Sequence, residues 1–251
     1  MCTLVIAHRV VEHASVVVLA NRDEFLARPS VAPAVRDREP PMYCGLDEKE
    51  GGTWFGVNAF GLVVGLTNLT LRMPDPKLRS RGLLCMDMLG LRTAQLVREA
   101  LKALPAKAYN PFNLVALDGA TAVRASYDDA PRVQALEPGV YATTNWPIGS
   151  DPDAKRMAAE KRVRTMLDAA ANLNEVVEGL KNEGRRHDGN GDPRASVCCH
   201  APGYGTRAST IALVDPMRKN VRLLHADGPP CTSDYEDHTG EVATMMAFKG
   251  F

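Results

Sequence analysis

A cysteine stands at position two of the chain, directly behind Met1. If Met1 is removed, Cys2 carries a thiol nucleophile and an α-amine base on one residue. The amine titrates near roughly 7.7–8.0 and the thiol near about 8.5, so both lie close to physiological pH. The amine can therefore take the thiol proton directly or through water, with no histidine partner. Attack of that thiolate on an amide or thioester carbonyl would build negative charge on oxygen, which preorganised amide donors stabilise. A dense polar cluster, Asn21-Arg22-Asp23-Glu24, closes the apolar run that follows, and Gly51-Gly52-Thr53-Trp54 and Asn145-Trp146-Pro147 stand further along the chain.

Taken singly, each of these has a plainer reading. Arg22 and Asp23 could form a strand-end ion pair, Asn145 before Trp146-Pro147 could turn the chain, and Gly51-Gly52-Thr53-Trp54 could begin a strand around a core tryptophan. As a set they point to one site through the family resemblance given below, because independent turns and ion pairs need not reproduce one family's spacing.

The elements that must position these residues are legible in part. Residues 3–8 and 14–20, rich in Val, Ile and Leu, read as a β-hairpin whose second strand, apolar from Val16 to Ala20, is covered on both faces. The hairpin brings Cys2 beside the polar end Asn21 to Glu24. Residues 27–41, dominated by proline, arginine and alanine, read as a surface loop over the mouth of the site. Residues 51–58 and 61–68 read as two strands whose glycines signal a close backbone approach. Apolar residues at helical spacing between Arg81 and Leu104 predict one helix or two shorter ones. Residues 112–117, 122–127, 132–136 and 140–144 read as an antiparallel meander. Asp151-Pro152-Asp153 signals a helix start, a second helix covers about 173–181, and residues 209–214 and 221–225 return as strands. The tail after Gly228 has no clear periodicity. Strands, then helices, then strands, without β-α-β alternation, predict an α+β layered fold in a single domain covering residues 1–251.

Composition narrows the function classes. The chain has 251 residues, 45% hydrophobic and 24% charged, and thirty basic residues balance thirty acidic ones. Those values are globular, and a net charge of zero gives no global attraction to nucleic acid or anionic membrane. No transmembrane segment and no signal peptide is read, so the expected location is cytoplasmic. Six scattered cysteines read as reduced thiols. Cys198-Cys199-His200 does not match the usual zinc spacings and no second ligand pair stands out, so the expectation is no metal and buried or idle thiols.

Together, Met1-Cys2-Thr3, Asn21-Arg22-Asp23-Glu24, Gly51-Gly52-Thr53-Trp54-Phe55-Gly56-Val57-Asn58, Thr67-Asn68, Thr144-Asn145-Trp146-Pro147 and Tyr204-Gly205-Thr206-Arg207 resemble the NRDE family, also called the transport and Golgi organisation family. The resemblance runs from residue 1 to about residue 215. It implies an N-terminal-nucleophile (Ntn) hydrolase-like fold, an αββα sandwich with two antiparallel sheets between helical layers. A more distant similarity is to the choloylglycine hydrolases, which cleave bile-salt and penicillin V amides. In those enzymes an arginine stands three positions before the aspartate that Asp23 matches; here that place is Ala20, and Arg22, two positions later on the same strand, is its substitute. The similarity implies Asn68 as oxyanion donor, Asn145 as a second amide near the nucleophile, and Arg207 as an arginine that steadies the site.

Two functions follow. In one, Cys2 cuts the amide or thioester bond of a small amphipathic anionic acyl substrate, with Asp23, Asn68, Asn145 and Arg207 assisting and no metal or organic cofactor required. In the other, the resemblance to a family associated with haem trafficking and acyl-CoA or lipid handling implies a carrier. Its pocket would hold a hydrophobic anion between Asn21, Arg22, Glu24, Trp54 and Phe55. Haem as the ligand would need an axial donor, for which His8 or Cys2 are candidates.

Overall fold

The computed structural model describes residues 2–147, 153–189, 191–217 and 220–247. Met1, Asp151 and Pro152 lie outside the described residues. Two antiparallel sheets form the centre. The first contains β1 (Thr3–Val11), β2 (Ala14–Phe25), β10 (Gly139–Thr143), β11 (His200–Ala201), β12 (Tyr204–Asp215), β13 (Asn220–Ala226) and β14 (Glu236–Asp237). Its spatial order is β10-β1-β2-β12-β13-β14, with β11 alongside β12. The second contains β3 (Ser30–Arg36), β4 (Met42–Asp47), β5 (Phe55–Asn58), β6 (Val63–Asn68), β7 (Phe112–Leu117), β8 (Ala122–Tyr127) and β9 (Pro131–Leu136), paired in chain order.

Strand alternation decides which face each residue serves. On β2, Val16, Val18 and Ala20 pack with Leu4, Ile6, Val57 and Val63 in the core between the sheets. Val17 and Leu19 of the same strand pack instead with Val163, Val177 and Leu180 of the helices α3 (Ala154–Ala169) and α4 (Leu173–Gly184). On the other side, α1 (Arg81–Leu89) and α2 (Ala94–Lys102) cover the second sheet through Leu84, Leu89, Val97 and Leu101. The order helices, sheet, sheet, helices is the αββα sandwich expected. Each fully buried aliphatic side chain contributes about 1.5–3 kcal/mol, so β2, buried from Val16 through Asp23, is held by packing on both faces.

Several elements depart from the sequence reading. Residues 27–41 are not all loop: Ser30–Arg36 forms β3, an edge strand against β4 with a register shift between Val31 and Ala34. It was invisible because an exposed edge strand carrying Pro33 needs no apolar alternation. The four-strand meander is three strands long; β10 leaves it and pairs with β1 in the other sheet, Leu4 opposite Thr143. Hydrophobic pattern specifies a strand but not its partner. The helical stretch after Arg81 is two helices, separated at Gly90. The unpatterned tail contains α5 (Thr239–Ala247), which buries only Val242 and Met245 and so leaves little periodic signal.

Candidate active site

The hairpin of β1 and β2 creates the site. Thr3 pairs with Asn21 and Leu4 with Ala20, which puts Cys2 across from Arg22. Alternation turns both toward the space between the sheets. There they line a cleft of about 320 Å³ together with Trp54, Asn68, Arg28 and Arg81. The Cys2 thiol donates to the backbone carbonyl of Asp23 at 3.6 Å. Burial pushes that thiol up, and the Asp23 carboxylate adds to the shift while Arg22 opposes it.

Asp23 itself is buried on the helix side of β2. Its Oδ1 accepts from the Thr206 hydroxyl at 2.6 Å, and Lys155 Nζ stands 3.8 Å from Oδ2. Burial raises its carboxyl above the usual range, and Lys155 pulls the other way. Asn68 ends β6 half-buried, and its side-chain amide makes no hydrogen bond to the described residues. Its backbone carbonyl accepts from the Asn145 amide. Asn145 therefore braces the strand end that presents Asn68. The segment carrying Asn145 is in turn held by Asn113, whose amide donates to the carbonyls of Thr144 (3.1 Å) and Trp146 (2.8 Å).

The cationic groups of the cleft divide into two kinds. Arg28 is bound to Asp47 by a forked contact, with Nε 3.1 Å from each carboxylate oxygen, and also faces Glu24 at 3.9 Å. Arg22 and Arg81 differ. Arg22 lies over the Trp54 ring at 4.1 Å and reaches Ser30 Oγ at 3.4 Å; Arg81 donates to the Pro111 carbonyl at 3.0 Å. Neither is ion-paired to a carboxylate among the described residues, and burial lowers the pKa of both. A guanidinium stays charged regardless, so the cleft holds two positive charges that make no direct ion pair among the described residues, while Glu24, Asp47 and Glu50 act on them from further off.

Arg81 was missed by sequence reasoning. It reaches the cleft because Gly52 and Gly82 touch backbone to backbone, with Thr53 N donating to Gly82 O at 3.1 Å. A Cβ on Gly52 would lie 2.2 Å from the Gly82 carbonyl carbon. The available signal was the glycine pair at 51–52 and Ser80, the N-cap of α1, one residue before Arg81.

Five of the expected site residues do not line the cleft, and Asn145, which braces Asn68 from outside it, is one of them. Asn21 faces the helices, donating to the carbonyls of Gly184 (2.9 Å) and Val197 (3.0 Å). Phe55 is buried in the core between the sheets. His8 is buried near the far end of β1, opposite Gly139, about 20 Å of strand from Cys2, and cannot share a ligand with it. Arg207 donates to the backbone carbonyls of Phe25, Leu26 and Arg28 and so clamps the chain after β2. In the Tyr204-to-Arg207 motif, Thr206 binds the Asp23 carboxylate and the Tyr204 hydroxyl donates to the Asp23 backbone carbonyl at 3.0 Å. Cys2, Arg22, Asp23, Glu24, Trp54 and Asn68 lie together at the one cleft.

The layered sheets with a cysteine at the start of the first strand define an Ntn-hydrolase-like fold. The solved structures agree: the fold matches a Caenorhabditis elegans N-acylethanolamine-hydrolyzing acid amidase ortholog with a TM-score of 0.57 at 14% identity, covering 84% of this chain and 92% of that one. A mutant conjugated bile acid hydrolase from Clostridium perfringens matches with a TM-score of 0.58 at 10% identity, covering 96% and 93%. The chain belongs to the family Transport and Golgi organisation 2, which matches residues 1–225. Among its relatives, the human Transport and Golgi organization protein 2 homolog is 32% identical over 225 residues, 79% of this chain and 82% of the relative. The Bos taurus homolog is 29% identical over 227 residues, with the same coverage.

Proposed function

We propose that this protein is a cysteine Ntn hydrolase acting on the amide or thioester bond of a small amphipathic acyl substrate that carries an anionic group. The observation that carries this reading is the shared cleft of Cys2, an Asn68 amide with no hydrogen bond to the described residues, and two arginines that make no direct ion pair among the described residues. After removal of Met1, the Cys2 amine takes the thiol proton and the thiolate attacks the carbonyl. Asn68 donates to the developing oxyanion, and loss of one such donor elsewhere costs about 2.7–4 kcal/mol. Arg22 and Arg81 hold the anionic group, the leaving amine or thiol takes the proton from the Cys2 ammonium, and water then hydrolyses the acyl-thioester on Cys2. The names of the two fold neighbours, an N-acylethanolamine-hydrolyzing acid amidase and a conjugated bile acid hydrolase, describe amphipathic substrates, the second of them acidic.

Intact-mass measurement tests the reading. The protein from its own host should lack Met1, and incubation with a long-chain acyl thioester should add one acyl mass to the native chain and none to Cys2→Ala. Retention of Met1, or no adduct and no turnover with either amide or thioester substrates, overturns it.

A carrier is the second reading, and one observation favours it: burial pushes the Cys2 thiol up, away from the thiolate, while the two arginines keep their charge. The cleft would then hold an acyl-CoA or haem anion without cutting it. Saturable binding with no turnover selects this reading; weak, non-saturating change with both ligands rejects it.

A further inference from the structure

Away from the cleft, four side chains from three separate stretches converge. One ring nitrogen each of His187 and His200 and the sulfurs of Cys198 and Cys231 all lie within 4.8 Å of one another. Cys198 Sγ is 3.6 Å from Cys231 Sγ, and His200 Nε2 is 3.1 Å from Cys231 Sγ and 3.7 Å from Cys198 Sγ. Zinc bonds of about 2.3 Å to sulfur and about 2.0–2.1 Å to nitrogen build a tetrahedron with edges of roughly 3.3–3.8 Å. Those three separations fall in or close to that range before any ion draws the ligands in, and the His187 nitrogen lies within 4.8 Å of the other three donors.

The donor chemistry agrees. Two thiols and two imidazoles suit zinc, and four protein ligands leave no open position, which is the pattern of a structural site. His187 Nδ1 stands 3.1 Å from the Cys198 carbonyl. A ring N–H given to a backbone carbonyl is the contact that fixes the tautomer of metal-bound histidine and leaves the lone pair on Nε2. Cys198 is buried and Cys231 half-buried, whereas both histidines are exposed, so an ion can enter from solvent.

We propose that His187, Cys198, His200 and Cys231 bind one zinc ion. Binding releases the two thiol protons to solvent, and the two thiolates balance the dication. The ion ties the loop after α4 and the segment after β13 to the start of β11. Cys199, held between two of the ligands, donates its backbone N–H to Thr206 Oγ1 at 2.8 Å, and that hydroxyl binds Asp23 at 2.6 Å. The metal therefore also fixes the chain that orients Asp23; this last link rests on the active-site reading, while the metal site does not. A disulfide between Cys198 and Cys231 would use only two of the four converging groups and leave both imidazoles without a role.

The test is metal analysis of the untagged full-length protein, isolated without chelator. One zinc per chain is expected, and cobalt in its place should give the ligand-field absorption of a tetrahedral ion with thiolate charge transfer. Cys231→Ser should lose both signals, and His13→Ala, on the exposed β1–β2 turn, should keep both. If Cys231→Ser fails to fold, chelator treatment of the native chain decides the matter: its melting temperature should fall and recover with added zinc. Sub-stoichiometric metal with no cobalt spectrum in the reduced protein, or a native chain carrying a Cys198–Cys231 disulfide, overturns the proposal. None of these readouts needs substrate, so their failure is separate from failure of the hydrolase reading.

Discussion

The guanidinium carbon of Arg22 stands 4.1 Å from the centre of the Trp54 ring, and through this contact β2 of the first sheet touches the turn before β5 of the second. A desolvated cation–π contact contributes up to about 2 kcal/mol. It also places the charge: Arg22 is held over an aromatic wall, and both line the cleft that contains Cys2.

Trp54 should therefore report what occupies the cleft. Of the two tryptophans, Trp146 is half-exposed and does not line it. Titration with a long-chain acyl-CoA should change tryptophan fluorescence in the native chain and in Trp146→Phe, and leave it unchanged in Trp54→Phe. Arg22→Ala should weaken the same titration by about tenfold, the loss of one charge-assisted contact. A signal that survives in Trp54→Phe would place the ligand elsewhere.

Gly52 is expected to tolerate no side chain. Its Cβ would enter the backbone of Gly82, and neither chain can yield without moving α1. Gly52→Ala should cost about 1–3 kcal/mol in urea unfolding and weaken anion binding as well, because the displaced helix start carries Arg81. Gly51→Ala is the contrast. At its φ of +70° nothing lies within 4 Å of the added Cβ, so it should cost backbone strain alone and leave anion affinity in place.

The contrast between Cys2 and Arg81 shows what the sequence could reveal. Cys2, Asp23 and Asn68 sit at strand ends, and a hairpin or strand pattern is enough to say where strand ends go. The alternation of β2 likewise gives both of its buried faces. Arg81 depends on a glycine contact thirty residues away along the chain, between Gly52 and Gly82, which no local pattern encodes. His187 and Cys231 are hidden for the same reason: only the packed tail and the loop after α4 bring them to Cys198 and His200. Arg207 erred in the opposite sense, since its type suited an anion but a register shift on β12 between Thr206 and Ala208 leaves it bound to backbone carbonyls.

Stability should fall in acid through His225. This ring is buried on β13, Thr210 Oγ1 is 2.9 Å from Nδ1, and Nε2 has no hydrogen-bond partner among the described residues. Burial lowers its pKa to about 4; Asp227 works against the shift and His238 adds to it. The unfolded chain binds the proton from about pH 6.5 downward, while the folded chain binds it only near 4. The contribution is thus present above about pH 6.5 and lost as pH falls through about 4, a change of about 3 kcal/mol. Unfolding free energies of the native chain and His225→Asn, measured from pH 7 to pH 4, should converge as pH falls. Parallel curves would remove His225 as the cause.

Arg81 and Arg207 should separate binding from stability. Arg81 faces the cleft, has no carboxylate partner among the described residues, and spends one N–H on the Pro111 carbonyl. Arg207 lies outside the cleft and spends its Nη1 on three carbonyls of the chain after β2. A charge-assisted hydrogen bond contributes about 1.5–3 kcal/mol, less where solvent competes. Arg207→Ala should thus unfold at lower urea by about 1–2 kcal/mol and, while folded, bind the acyl-CoA anion as the native chain does. Arg81→Ala should weaken that anion by about tenfold or more, with a smaller loss of stability. If Arg207→Ala instead abolishes binding at temperatures where it stays folded, the clamp after β2 positions the cleft's Arg28 and Glu24 closely enough to matter for the ligand, and the division between the two arginines is wrong.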